Sequence, residues 1–183
     1  MSLVDFIISC AGKRYWGEQT NAGSRAWRSV ASSSDGTKLV AVVYNGYIYT
    51  STDSGATWTE RTSSGSRSWT SVASSSDGTK LVAVTGGYIY TSTDSGATWT
   101  EQTSPGSKYW QAVASSSDGT KLVAVAAPNY ISTSTDSGAT WTMRTSAGSN
   151  YWQSVASSSD GTKLVAVVNT GYISTSTDSG ATW

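Results

Sequence analysis

The sequence predicts an all-β fold, a β-propeller of four-stranded antiparallel blades with about four blades in 183 residues. Three observations predict it. The segment VASSSDGTKLVAV occurs four times, and STDSGATW also occurs four times. Both segments recur every 41 or 42 residues, a spacing typical of one propeller blade per repeat. The repeats are rich in Ser, Thr, Gly and Val, which favours short strands separated by turns.

Each repeat contains four strand candidates separated by turn residues. In the first repeat a tryptophan, Trp27, begins the first strand, and Asp35-Gly36 suits the tight turn after it. The second strand is almost continuously apolar, as expected of a strand covered on both faces when blades stack. Asn45-Gly46 and the DSG sequence form the next two turns. The four strands are predicted at about 27–34, 38–44, 47–52 and 57–62.

The repeat register divides the single domain 1–183 into four blades and one partial blade. Trp16-Gly17-Glu18-Gln19-Thr20 aligns with Trp58-Thr59-Glu60-Arg61-Thr62, so the N-terminal segment is predicted to supply degenerate third and fourth strands. The last blade is predicted to lack most of its fourth strand. The partial blade is predicted at 3–20 and the blades at 27–62, 69–103, 110–145 and 152–183.

The STDSGATW segment contains the pattern Ser-x-Asp-x-Gly-x-x-Trp in all four repeats. This pattern resembles the Asp box of the sialidase or BNR repeat family. The resemblance implies that each Asp caps the turn between the third and fourth strands and that each Trp packs between strands. The Asp box of that family lies away from the active site, which implies structural roles here. The residues are Asp53, Asp94, Asp136 and Asp178, with Trp58, Trp99, Trp141 and Trp183.

Composition excludes several classes of function. Twelve basic and twelve acidic residues give no net charge. No cluster of Lys or Arg is long enough to indicate nucleic-acid binding, so we predict no nucleic-acid partner. Histidine is absent and Cys10 is the only cysteine, so we predict no metal site and no cofactor. The opening segment 1–12 contains a lipobox-like Ile-Ile-Ser-Cys at 7–10, but it lacks a basic region and its apolar run is short. We therefore predict neither a signal peptide nor a membrane-bound chain, and the compartment stays open.

The two partial blades predict how the propeller closes. An unpaired strand edge and an open ring would both leave backbone or apolar surface in water. Closure within one chain would give a four-bladed ring. Closure between two chains would give a ring of about eight blades, in which each N-terminal strand completes the last blade of its partner. We favour the homodimer slightly.

Candidate binding residues lie where the repeats differ. The turns after the first and third strands are identical between repeats, whereas the turns after the second strand and the linkers between blades vary. The residue after the first Trp of each blade also varies and would line the central channel. Polar groups beside aromatic rings there suit a glycan or peptide ligand. The candidate ligand-binding residues are Arg28, Thr70, Gln111, Gln153, Asn45, Asn129 and Asn169.

Three functional hypotheses follow. The first is a non-catalytic binding or scaffold module. The second is an engineered or recently amplified propeller without a selected function, which the identical segments also fit. The third and most remote is a glycosidase, because sialidases share the Asp box. The sialidase Arg-Ile-Pro motif is missing, and Glu18, Glu60 and Glu101 all occupy one outer-strand position. We therefore predict no catalytic residues and no enzymatic activity.

Overall fold

The computed structural model of the chain describes residues 17–183. These residues form fifteen strands in four antiparallel sheets, of which three have four strands and the last has three. Most of the partial blade predicted at 3–20 lies outside the described residues. The prediction of an all-β propeller with four-stranded antiparallel blades is confirmed. Among the described residues no helix is long and apolar enough to span a membrane.

The strands follow one another in sequence order within each sheet. The first sheet contains β1 (Trp27–Ser32), β2 (Leu39–Val43), β3 (Ile48–Ser51) and β4 (Thr59–Arg61). The second contains β5 (Trp69–Ser74), β6 (Leu81–Thr85), β7 (Ile89–Ser92) and β8 (Thr100–Gln102). The third contains β9 (Trp110–Ser115), β10 (Leu122–Ala126), β11 (Ile131–Ser134) and β12 (Thr142–Arg144). The fourth contains β13 (Trp152–Ser157), β14 (Leu164–Val168) and β15 (Ile173–Ser176).

Short 3₁₀ helices lie in the segments that precede or connect blades. They span Thr20–Ala22, Thr62–Ser64 and Thr145–Ala147. Each is followed by a glycine with a positive φ, such as Gly65 at 72°, a conformation that glycine adopts without steric cost. The chain thereby turns from the outer strand of one blade into the first strand of the next.

The core lies between neighbouring blades. Val40, Val42 and Ile48 of the first blade pack against Trp69 and Val72 of the second. The same arrangement recurs between the second and third blades and between the third and fourth. The first strands of neighbouring blades contact one another, which places these strands innermost. Stacked blades therefore cover both faces of the apolar second strands β6 and β10, as the sequence pattern predicts.

The two outer faces of the stack are open. Val30 of the first blade is 72% exposed, whereas its equivalent Val72 is 5% exposed beneath the preceding blade. Ile173 of the fourth blade is 69% exposed, whereas its equivalent Ile48 is fully buried. The described residues therefore form an arc of blades in which the first and fourth blades do not cover each other.

Candidate binding face

The antiparallel strand order separates the turns into two ends of the arc. The turns between first and second strands and between third and fourth strands lie at one end, which we call the invariant end. The turns between second and third strands lie at the other end together with the linkers between blades, and we call this the variable end. Backbone bridges between Gly46 and Arg67 and between Asn129 and Asn150 tie these turns to the following linkers.

The Asp carboxylates at the invariant end accept hydrogen bonds from residues of their own turns. Asp53 accepts hydrogen bonds from the Thr57 hydroxyl at 2.6 Å, the Thr57 N–H at 2.8 Å and the Ser51 hydroxyl at 2.7 Å. These bonds hold the pKa of Asp53 at about 2, below its usual 3.8. Bonds from the Ser33 hydroxyl and from Thr37 likewise lower the pKa of Asp35 to about 2. The same contacts recur in the other repeats, so these aspartates stabilise turns.

A β-bulge positions the variable residue after the first Trp of each blade. Trp27 pairs with Val43 and Ser29 pairs with Val42, which leaves Arg28 as the extra residue. The same irregularity occurs in the first strand of the other three blades. A bulge re-aims the side chain of its extra residue away from the regular alternation. The four bulge residues are Arg28, Thr70, Gln111 and Gln153.

The structure brings two of these bulge residues together. Thr70 and Gln111 line one cavity of about 440 Å³ at the variable end, between the second and third blades. The Thr70 hydroxyl is 3.1 Å from the Val84 carbonyl and 2.9 Å from the Trp110 carbonyl, so it also links the two blades. Arg28 and Gln153 are exposed and do not line this cavity.

The three predicted asparagines shape turns and do not line this cavity. The Asn45 side chain accepts a hydrogen bond from Ser68 at 2.5 Å, and its φ of 56° is left-handed. The Asn129 side chain accepts the Tyr130 N–H at 2.9 Å. Asn169 donates its backbone N–H to the Tyr151 carbonyl at 3.0 Å.

Tyrosines and a guanidinium complete the cavity. Tyr44, Tyr88 and Tyr109 line it, and Tyr44 and Tyr109 are exposed to solvent. The candidate residues predicted from the sequence are polar side chains and include none of these three tyrosines. The aromatic residues that flank the variable glycine turns could have indicated them. Aromatic walls with a few convergent polar groups are typical of a ligand pocket.

Arg67 is held in place beside the cavity. Its Nε donates to the Ser64 carbonyl at 3.0 Å, and its guanidinium carbon lies 4.6 Å from the centre of the Tyr90 ring. The Tyr90 hydroxyl donates to Glu101, and burial followed by this bond raises the pKa of Tyr90. In the part of the chain that the structure describes, the terminal nitrogens of Arg67 donate no hydrogen bond, so they can bind a ligand.

Charge at the variable end has one sign. Arg25, Arg28, Arg67 and Lys108 lie in its loops or at its bulges. In the described part of the chain, the turns and linkers of this end contain no Asp or Glu. Lys108 lies 4.9 Å from the Trp110 ring centre, and burial lowers its pKa. These turns and linkers therefore carry positive charge, although the whole chain is neutral and Glu101 bonds to the Tyr90 whose ring Arg67 covers.

Comparison with known proteins shows the fold. No family model matches the chain, and no curated protein matches it. A GH74 enzyme of Niastella koreensis is similar, with a TM-score of 0.66 at 23% identity, over 86% of this chain and 24% of that one. YCF48 bound to D1 peptide has a TM-score of 0.60 at 22% identity, over 86% and 52%. The computationally designed Ika4 protein has a TM-score of 0.62 at 13% identity, over 88% and 94%.

The three matches cover different shares of the known proteins. The chain spans about a quarter of the GH74 structure, about half of YCF48 and nearly all of Ika4. At such low identities the likeness extends to the β-propeller fold alone, since one fold hosts many functions.

Proposed function

We propose that the chain is a non-catalytic binding module that holds an extended acidic peptide segment at its variable end. The cavity of about 440 Å³ between the second and third blades carries this proposal, because it joins exposed tyrosine rings to the guanidinium of Arg67. Tyrosine offers a large contact area at low entropic cost, and Arg binds carboxylates with two parallel hydrogen bonds.

The geometry favours a peptide over a compact small molecule. Exposed tyrosines also occur after the third blade, where Tyr151 is 62% exposed and Tyr172 is 91% exposed. An extended segment crossing from blade to blade could contact several of them. The likeness to YCF48 supports the idea that a propeller of this kind accommodates a peptide.

The proposal of a non-catalytic role rests on the environment of the glutamates. Glu60 and Glu101 accept hydrogen bonds from Tyr49 and Tyr90 on neighbouring strands of their own blades. Burial followed by the Glu60 bond raises the pKa of Tyr49 to about 12, which opposes the ionisation that a tyrosine nucleophile needs. Among residues 17–183 no three acidic, Cys or His side chains lie close enough together to hold a metal.

We also infer that the four turns at Asp53 and its equivalents are Asp boxes of the BNR type. The matching Ser-Asp-Thr hydrogen bonds in all four repeats support this inference. Their uniformity favours a shared structural role over four separate sites.

The test is a binding titration with fluorescein-labelled 12-residue peptides. One peptide pool carries Glu, Asp and aromatic residues, and a matched pool carries Lys and Arg in place of the acidic residues. We expect the acidic pool to bind and its affinity to fall as salt is raised, because added ions screen the attraction. Neutral oligosaccharides serve as a second probe.

Arg67→Gln and Arg25→Gln provide a matched pair of variants. Arg25 has the same setting in the first blade, with Nε donating to the Ala22 carbonyl and the guanidinium carbon 4.6 Å from the Tyr49 ring centre. Only Arg67 lines the 440 Å³ cavity. We expect Arg67→Gln to weaken acidic-peptide binding about tenfold and Arg25→Gln to change it little. Equal effects of the two variants would overturn the proposal.

Other outcomes favour the alternatives. Binding of oligosaccharides without peptides would favour a carbohydrate-binding module. An absence of binding to every probe would favour an engineered or recently amplified propeller without a selected ligand, which the likeness to the designed Ika4 also fits. Hydrolysis of a fluorogenic sialoside would favour a glycosidase.

A further inference from the structure

The two open faces of the arc match the two sides of its internal blade junctions. We call the open side of the first blade, with Trp27 and Val30, the leading face. The open side of the fourth blade, with Val165 and Ile173, is the trailing face. At each internal junction the residues equivalent to Val165 and Ile173 are buried against those equivalent to Trp27 and Val30. The leading and trailing faces are therefore two halves of a junction that occurs three times in the chain.

A lysine contact repeats across every internal junction. The stem of Lys38 lies against Gly78 of the second blade, so close that a Cβ on the glycine would be 2.8 Å from the Lys38 Cβ. The Lys38 ammonium is 3.3 Å from the hydroxyl of Ser95, which also belongs to the second blade. Equivalent contacts join the second blade to the third and the third to the fourth. Each junction thus has a lysine on one side and a glycine pocket on the other.

Both halves of this lysine contact are unoccupied at the ends of the arc. Lys163 on the trailing face is exposed, and within the described residues its ammonium has no serine partner. Gly36 on the leading face has a φ of 73°, and no atom of residues 17–183 lies within 4 Å of an added Cβ. The Lys163 stem has the position in its blade that the Lys38 stem has in the first blade. It therefore fits Gly36 of another first blade.

Backbone hydrogen bonds follow the same order. Ser34 donates its N–H to the Ser76 carbonyl at 2.7 Å, Ser76 donates to Ser117, and Ser117 donates to Ser159. In residues 17–183 the Ser159 N–H donates to no backbone carbonyl and the Ser34 carbonyl accepts from no N–H. Among the described residues, one backbone donor on the trailing face and one backbone acceptor on the leading face therefore have no backbone partner.

The outer edge of β15 fits the same arrangement, in which the first blade of another copy packs on the trailing face. In the first blade, Ile48, Tyr49 and Thr50 of β3 pair with residues 59–61 of β4. Within the described residues no strand pairs with the corresponding edge of β15. Residues 17–19 align with 59–61 in the repeat and form no strand. They have the right register to serve as the fourth strand beside β15.

We propose that a second copy of the chain packs its leading face on the trailing face of the first, with its residues 17–19 as the fourth strand beside β15. The internal junctions show what covers these faces, and the second copy presents the same side chains in the same order. Two such junctions close a ring of two copies, and this assembly does not depend on peptide binding.

The experiment measures the solution mass of the 183-residue chain and of single variants by light scattering after size exclusion. We expect about twice the chain mass of 19.1 kDa for the unaltered chain. Val30→Glu and Ile173→Glu each place a charge in the junction and should raise the dissociation constant about 100-fold. Both residues are largely exposed in one copy, so far-ultraviolet circular dichroism should show folded variants.

A mixture of the two variants tests the head-to-tail arrangement. One of its two junctions joins an unaltered leading face to an unaltered trailing face, so the mixture should dimerise more than either variant alone. Met143→Glu is the matched control, because Met143 is 50% exposed on β12 and the equivalent residues in the first two blades are glutamates. A monomeric unaltered chain would overturn the proposal. A mass that falls equally with Met143→Glu, or with only one of the two face variants, would also overturn it.

Discussion

Replacing Gly119 with alanine is expected to loosen the packing between the second and third blades. Gly119 has a φ of 68°, and an added Cβ would lie 2.8 Å from the Cβ and Cδ of Lys80 and 3.2 Å from the Cβ of Ser75. Gly106 offers a matched comparison, because its φ of 77° is also left-handed while an added Cβ would meet no atom within 4 Å. The pair therefore separates backbone strain from contact between blades.

The expected magnitudes follow from these two effects. Alanine at a left-handed φ costs about 1–2 kcal/mol relative to its relaxed conformation, and both variants share this cost. Forcing an extra carbon against the Lys80 stem adds an overpacking cost of about 1–3 kcal/mol at Gly119 alone. We therefore expect a loss of about 2–5 kcal/mol for Gly119→Ala and about 1–2 kcal/mol for Gly106→Ala.

Urea unfolding followed by tryptophan fluorescence measures the difference. Both variants and the unaltered chain are compared at one protein concentration, so that any association affects all three alike. The free energy of unfolding is obtained by linear extrapolation, with the slope checked for equality. Equal losses for the two variants would refute the reasoning, because they would show that the Lys80 contact contributes nothing beyond the strain of the turn.

Three further predictions concern the turns and the outer strands. The pKa values of Asp35 and Asp53 are lowered to about 2, so their contribution to stability should be complete above about pH 4 and lost as the pH falls towards 2. Thermal unfolding between pH 2 and 6 measures this, and a midpoint that stays constant to pH 2 would contradict it. Tyr49→Phe removes the hydroxyl bonded to Glu60 and should cost about 1 kcal/mol in urea unfolding. It should also remove one phenol that titrates near pH 12, and an unchanged ultraviolet titration would contradict its assignment. Ser51→Ala leaves a buried glycine N–H of the turn without its acceptor and should cost about 1–3 kcal/mol, whereas no measurable loss would argue against the turn geometry.

The strands could be predicted from the sequence because turn chemistry and the first tryptophan of each repeat mark them. Trp27 and Trp69 begin first strands as predicted, and the apolar run after Lys38 forms a covered second strand. The ends of strands were harder to predict. The first strand ends at Ser32 and not at 34, because the Ser34 N–H donates to Ser76 of the next blade.

The fourth strand is also shorter than predicted. It begins at Thr59 and not at 57, because the N–H and hydroxyl of Thr57 bond to Asp53 within the turn. The side chains of the turn residues compete here with the strand ladder for the same backbone groups. Such competition depends on three-dimensional geometry that the spacing of residues does not contain.

The candidate site could be predicted only in outline. Variation between repeats pointed to the variable loops and to the bulge residues, of which Thr70 and Gln111 line the cavity. The candidate residues included none of the cavity tyrosines, although Tyr44 and Tyr109 lie in variable loops, because their role depends on which blades meet at the cavity. The bulge at Thr70 has no sequence signal such as a glycine. Packing between the second and third blades determines which side chains meet.

Hydrogen–deuterium exchange with and without the acidic peptide pool tests the central claim most directly. The claim is that the invariant end stabilises the blades while the variable end binds a ligand. On peptide addition, slower exchange is expected at Tyr44, at 67–70, at 85–88 and at 109–111, with no change in the turns at Asp35 and Asp53. Protection of the Asp35 and Asp53 turns, with the variable loops unchanged, would contradict it.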